Sequence, residues 1–270
     1  MPDPSKPAFA VLSPSSTVVV DVGPSGIVDI WLNRPEQLNA MSVEMVKALL
    51  SVVDSAVAAG AMALVIRAKG RGFCAGADLK ERRTMTEAER YAHNRAINAA
   101  VNSIAAAPIP TIAAINGVAM GGGLELALGC DMRIAAESAR IGLTESRIGA
   151  IPGAGGTQRL PRLIGISRAL ELMYAGEPVS ARKAAEIGLV NGCVPDEDLD
   201  KMVKTYTDLL GARSPSAIRI LKKVVYEGMN GSLAEGLECE RESLSQILGS
   251  ADYAEGLAAF AEKRAPKFSR

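Results

Sequence analysis

Two glutamates stand in surroundings unusual for a carboxylate. Glu125 lies within Gly123-Leu-Glu-Leu-Ala-Leu128, near a helix start and flanked by apolar residues; Glu145 follows the apolar stretch Ile141-Gly-Leu-Thr. A carboxyl placed in this way is buried or aimed into a cleft. Loss of water then raises its pKa toward the range where it exchanges protons near neutrality. Each glutamate taken alone also reads as a helix cap or a salt-bridge partner. Two segments of small residues accompany them. Gly72-Phe-Cys-Ala-Gly-Ala-Asp78 follows the apolar run 63–66, and Asn116-Gly-Val-Ala-Met-Gly-Gly-Gly-Leu-Glu125 follows the run 111–115. Loops after strand ends form ligand crevices in α/β sheets, and small side chains let a ligand reach backbone N–H groups. In the second segment those N–H groups also open a helix, whose positive end favours a developing anion. Two such donors on one oxygen make an oxyanion hole, where losing one donor typically costs roughly 3–4 kcal/mol of transition-state stabilisation. Tight turns needed only for packing would read similarly for either loop alone. The coincidence of both loops with both glutamates favours chemistry.

Other chemistries have no anchor. His93 is the only histidine, so zinc motifs of the His-Glu-x-x-His type are excluded, and its place four residues before Ile97 reads as a partly buried or surface helix position. Neither Gly-x-x-x-x-Gly-Lys-Ser/Thr nor Gly-x-Ser-x-Gly occurs, and Gly153-Ala-Gly-Gly156 does not satisfy Gly-x-Gly-x-x-Gly.

The elements that must position these residues alternate. The runs 17–22 and 27–32, separated by Gly-Pro-Ser-Gly, predict a hairpin. Ser42 caps a predicted helix over 43–57 with Val46, Leu49, Leu50, Val53 and Val57 on one face. A strand over 63–66, a helix over 87–106, a strand over 111–115, a helix over 121–129 and a strand over 132–135 follow. That order predicts an α/β layer with right-handed crossovers. After Pro195 the strand pattern ends, and helices are expected over 198–210, 215–229, 233–248 and 253–263. Residues 1–16 form an expected mobile lead, 17–195 an α/β core and 196–270 a helical region suited to oligomerisation.

Of 270 residues, 48% are hydrophobic, enough for a sizeable core, and 30 Lys plus Arg balance 30 Asp plus Glu. A neutral chain has no global field for nucleic acid or an anionic membrane, and no apolar run reaches spanning length. Cys74, Cys130, Cys193 and Cys239 are scattered without a Cys-x-x-Cys pair, and the N-terminus carries no signal or transit pattern. A reduced, cytoplasmic setting is expected.

Phe73-Cys-Ala-Gly-Ala-Asp-Leu-Lys80, Pro110-Thr-Ile-Ala-Ala-Ile-Asn-Gly117, Gly121-Gly-Gly-Leu-Glu-Leu-Ala127 and Ile151-Pro-Gly-Ala-Gly-Gly-Thr-Gln-Arg-Leu160, in this order, resemble the crotonase superfamily. The wording is closest to enoyl-CoA hydratases, including the 3-methylglutaconyl-CoA hydratase branch. The resemblance implies a spiral of repeated ββα units followed by a helical region that assembles trimers or hexamers. It implies hydration of a 2-enoyl-CoA to a 3-hydroxyacyl-CoA without a separate cofactor, with Δ3,Δ2-enoyl-CoA isomerisation as the nearest rival. Residue by residue, it assigns the oxyanion amides to Ala77 and Gly122, and the catalytic carboxylates to Glu125 and Glu145. Substrate and coenzyme contacts fall on Leu38, Ala40, Ala75, Gly76, Asp78, Leu79 and Lys263. Glu36 stands where the family carries a basic residue after Arg-Pro. The same branch includes an AU-rich RNA binder with a lysine-rich early helix, but Lys47 is the only basic residue of the matching helix, which disfavours nucleic acid as a partner.

Overall fold

A computed structural model describes residues 15–23 and 25–269; most of the expected mobile lead lies outside them. Strands β1 (Val18–Val22) and β2 (Ile27–Leu32) pair antiparallel as the expected hairpin. Helix α1 (Val43–Ala58) begins at Ser42, whose hydroxyl accepts the Met45 amide at 3.2 Å. It leads into β3 (Ala63–Ala68), which is buried along almost its whole length.

From β3 onward the chain repeats one path. β3 is followed by β4 (Gly72–Cys74) and then by α2 (Leu79–Arg82) and α3 (Glu87–Ala106). β5 (Thr111–Ile115) is followed by β6 (Val118–Met120) and α4 (Gly122–Leu128). β7 (Met132–Ala136) is followed by β8 (Arg140–Gly142), a 3-10 turn over Glu145–Ile148, α5 (Gly156–Ile164) and α6 (Ile166–Ala175). Each repeat places its first strand in a six-stranded sheet of order β1-β2-β3-β5-β7-β10 and its second in a four-stranded sheet of order β4-β6-β8-β9. β9 (Val179–Ser180), α7 (Ala181–Glu186) and β10 (Gly192–Val194) complete both sheets. Helices α8 (Leu199–Gly211), α9 (Pro215–Gly228), α10 (Leu233–Leu248) and α11 (Ala251–Ala261) follow. The four strands of the smaller sheet were not expected from sequence. They are two or three residues long, too short for a period-2 pattern to register.

Alternation along the parallel strands sorts the core. Leu64 and Ile66 point to one face and pack with α1 and α3 residues such as Leu49, Val53, Ile97 and Val101. Ala63 and Val65 point to the other, with Ile112, Ile134 and the α8 residues Leu199 and Val203. Parallel strands covered on both faces read as continuous apolar runs, as β3 and β5 do. Helix α3 has a Thr86/Glu89 capping box at its start and stops at Ala107 before Pro108. Among the described residues no helix is long and apolar enough to cross a membrane, and all four cysteines are free.

Candidate active site

The ends of β4 and β6 carry the two small-residue loops into contact. Gly76, at φ 97°, packs so closely that a Cβ there would lie 2.9 Å from the Met120 carbonyl oxygen and 3.2 Å from the Gly122 nitrogen. A Cβ on Gly123 would fall 2.0 Å from the Cys74 carbonyl oxygen, so α4 approaches β4 this closely only without a side chain there. Between them, Gly121 adopts φ 52°, ψ −124° and turns the chain from β6 into α4. The Gly122 amide thereby opens the helix beside Ala77.

Met41 holds the other loop. Its N–H donates to the Gly76 carbonyl at 2.7 Å and its carbonyl accepts the Asp78 amide at 3.1 Å. Ala77, between those two bonds, has its own N–H facing away from Met41. Neither the Ala77 nor the Gly122 amide meets a protein acceptor among the described residues. Both residues line one cleft, together with Ala75, Gly76, Leu79, Glu125 and Glu145.

Glu125 reaches that cleft from the interior. It is 3% exposed, and its Oε1 accepts the Ala154 amide at 2.7 Å and the Gly156 amide at 2.8 Å. Burial raises its pKa, and the amides of Gly156, Ala154 and Gly153 and the charge of Arg159 oppose the rise. Glu145 arrives from the 3-10 turn. Its Oε2 is buried without a hydrogen-bond partner, and its Oε1 would lie 3.1 Å from a Cβ placed on Gly121. Burial, reinforced by the charge of Glu125, raises its pKa to about 7. The cleft therefore holds two unbonded amide donors, a carboxylate fixed by backbone donors and a carboxyl poised to exchange a proton near neutrality.

The remaining sequence candidates lie elsewhere. Asp78 caps α2 and pairs with Arg34 at 2.9 Å. Burial pushes its carboxyl up, but the Glu81 amide and the Arg34 guanidinium outweigh that and hold it below its ordinary value. Leu38 sits at φ 49° with its carbonyl on the Ala75 amide, and the Ala40 carbonyl accepts from Arg34. These residues brace the Ala75–Asp78 loop from behind and do not line the cleft. Lys263 follows α11 at φ 53° on the exposed surface.

The expectation for His93 needs correction, since it is only 3% exposed. Arg82, the last residue of α2, reaches it, and its Nε donates to the His93 Nδ1 at 3.3 Å. Arg82, Asn94, Thr144, Ile148 and Ile151 also line the cleft, and sequence reading did not single them out. Gly153-Ala-Gly-Gly156, rejected as a dinucleotide loop, instead supplies the backbone donors that hold Glu125. A glycine-rich stretch next to a helix start was the available signal.

The family model described as enoyl-CoA hydratase/isomerase matches residues 23–270. The "Probable enoyl-CoA hydratase 2, mitochondrial" of Arabidopsis thaliana is 44% identical over 247 residues, covering 91% of this chain and 82% of that protein. The "Methylglutaconyl-CoA hydratase, mitochondrial" of Homo sapiens is 41% identical over 249 residues, covering 90% of this chain and 74% of that one. A crystal structure of an enoyl-CoA hydratase from Bacillus anthracis superposes with a TM-score of 0.92 at 40% identity, covering 93% and 98% of the two chains.

Proposed function

The chain belongs to the enoyl-CoA hydratase/isomerase family, and from that premise we propose that it adds water across the C2=C3 bond of a 2-enoyl-CoA, giving a 3-hydroxyacyl-CoA. In such a thioester the carbonyl activates C3 toward a nucleophile, and negative charge moves to the carbonyl oxygen. The Ala77 and Gly122 amides stabilise that oxygen. Glu125 and Glu145 hold one water between them: Glu125, fixed by Ala154 and Gly156, orients and activates it, and Glu145 delivers the proton to C2. The pair titrates as a unit, so each carboxyl's protonation depends on the other's. Atoms balance with water and substrate alone, so the proposed reaction requires no separate cofactor.

The observation that carries this reading is the Glu145 carboxyl. Its buried oxygen lacks a protein partner, its pKa is raised to about 7, and it shares a cleft with Glu125 and with both free amides. An isomerase needs only one carboxylate to shuttle a proton between C4 and C2, and here both are present. The test is loss of enoyl-thioester absorbance with crotonyl-CoA. Formation of 3-hydroxybutyryl-CoA supports hydration; conversion of 3-enoyl-CoA to 2-enoyl-CoA, with crotonyl-CoA untouched, supports isomerisation instead.

For assembly, the proposal is a homotrimer or a hexamer of two trimers. Leu221, Met229, Leu233, Leu237 and Phe260 on α9 to α11 are each more than half exposed, a larger apolar face than a lone subunit usually presents to water. Mass measurement in solution tests it. The proposed compartment is the cytoplasm, which cell fractionation tests.

A further inference from the structure

The loop Gly153–Gly156 holds Glu125 through its N–H groups, and its carbonyls are held in turn. A peptide unit is planar, so fixing its carbonyl sets the direction of the N–H on the other side. The Gly153 carbonyl shares a plane with the Ala154 N–H that Glu125 accepts, and Nδ2 of Asn98 on α3 donates to it at 3.2 Å. The Gly155 carbonyl shares a plane with the Gly156 N–H, and it accepts the Gln158 and Arg159 amides at 3.0 and 2.8 Å. Between them, the Ala154 carbonyl accepts from Nη1 of Arg159 at 3.1 Å.

Arg159 also closes a chain of side chains back to α3. Its Nη2 donates to Oδ1 of Asn102 at 2.7 Å, and Nδ2 of Asn102 donates to Oδ1 of Asn98 at 2.7 Å. Asn98 and Asn102 stand four residues apart, so one face of α3 meets the loop. The loop backbone leaves room for the guanidinium: Gly155 sits at φ 102°, and a Cβ there would overlap Nη1 of Arg159. Arg159 forms no salt bridge among the described residues. Burial lowers its pKa, and Glu125 is the foremost charge that offsets this. The coupling is mutual, since the Arg159 charge opposes the rise at Glu125. Arg159 does not line the cleft, so any effect on the reaction passes through Glu125.

We propose that Arg159 is a positioning residue for Glu125: with Asn98 and Asn102 it clamps the Gly153–Gly156 loop, so that the Ala154 and Gly156 amides hold the carboxylate in the geometry that aims the attacking water. This deepens the hydratase reading and rests on it. The guanidinium has a second effect, because a nearby positive charge favours the ionised carboxylate that activates water. The other charged groups that act on Glu125 are Arg82 on α2 and Glu145 on the 3-10 turn, while α3 presents the uncharged Asn94 and Asn98 to the loop.

Three substitutions separate the clamp from the charge. Arg159→Gln weakens the first and removes the second. Its kcat for crotonyl-CoA is expected to fall about 10-fold with KM within about 2-fold of wild type, the pattern of a misaimed group that does not touch substrate. The acid limb of its kcat–pH profile moves to higher pH, because loss of the cation raises the carboxylate's pKa. Arg159→Lys keeps the charge and loses the planar fork, so the limb returns to its wild-type position while kcat stays low. Asn102 is exposed, so Asn102→Ala spares the core, and it leaves the Arg159 charge in place. It should lower kcat about 3-fold with the limb unmoved. Hydrogen exchange over residues 153–156, read by mass spectrometry, reports the clamp without turnover and should quicken in Arg159→Gln and Asn102→Ala. Unchanged exchange, an unmoved acid limb in Arg159→Gln, or a raised KM at constant kcat overturns the proposal. Should Arg159→Gln fail to fold, Asn102→Ala decides by exchange and kcat. A wild type that hydrates no enoyl-CoA sinks the hydratase reading, and exchange alone then upholds or overturns the clamp.

Discussion

Glu125 enters the cleft from a helix sunk in the core, whereas Glu145 enters it from a 3-10 turn whose next three residues are exposed. The first carboxylate has an oxygen held by two backbone amides. The second has a buried oxygen that nothing in the protein satisfies. Both lose water, and both pKa values rise; backbone hydrogen bonds oppose the shift at each, with the charge of Arg159 adding to that opposition at Glu125, while at Glu145 the neighbouring carboxylate adds to the rise. The same residue type is thus given two jobs by its backbone: one fixes a geometry, the other exchanges a proton. Assigning roles from environment in this way is open to direct attack.

The largest effect is expected at the exchanging member. Glu145→Gln keeps the shape and removes the proton, so kcat for crotonyl-CoA hydration should fall about 1000-fold, within the usual range for general acid–base groups. Steady-state assays check this, and a variant near full activity would break the assignment. Glu125→Gln retains an amide oxygen able to accept from Ala154 and Gly156, so about a 100-fold loss is expected. If the Glu125 variant proved the more damaged, the two roles would have to be exchanged. A smaller effect should follow from disturbing only the holder. A Cβ in Gly156→Ala would lie 3.0 Å from Glu125 Oε1 and 2.9 Å from the Pro152 Cβ. Tilting Glu125 in this way should lower kcat about 10-fold, since small misplacements of catalytic groups carry large penalties.

The contrast also explains what sequence could and could not reveal. Five of the six strands of the large sheet and helices such as α1 and α3 were legible because each is long enough for a period to show, whereas β10, at three residues, was not, and α3 and α10 match their expected ends. Both glutamates were visible because a charge inside an apolar run is conspicuous. Their holders were not. Ala154 and Gly156 act through N–H groups common to every residue, so nothing in their side chains advertises the role. Arg82 belongs to the charged run Lys80-Glu-Arg-Arg83, which reads as a solvated face. Its place in the cleft, bonded to His93, is set by tertiary packing, which has no local period.

The smallest effect is one of stability, and it bears on Glu145 alone. In the folded protein its pKa is about 7, against an ordinary 4.5. Between those values the folded chain holds a proton that the unfolded chain has released. Unfolding then releases a proton, so the contribution of this residue to stability falls as pH rises from 4.5 to about 7 and levels off above it. Glu145→Gln cannot ionise and escapes that loss. Its Tm relative to wild type should therefore be higher at pH 8 than at pH 5, by a few degrees at most for a domain of this size. Thermal melts across that window test this. A difference independent of pH would mean that the Glu145 carboxyl is solvated well enough to titrate normally, and the distinction between a held and an exchanging carboxylate would lose its electrostatic basis.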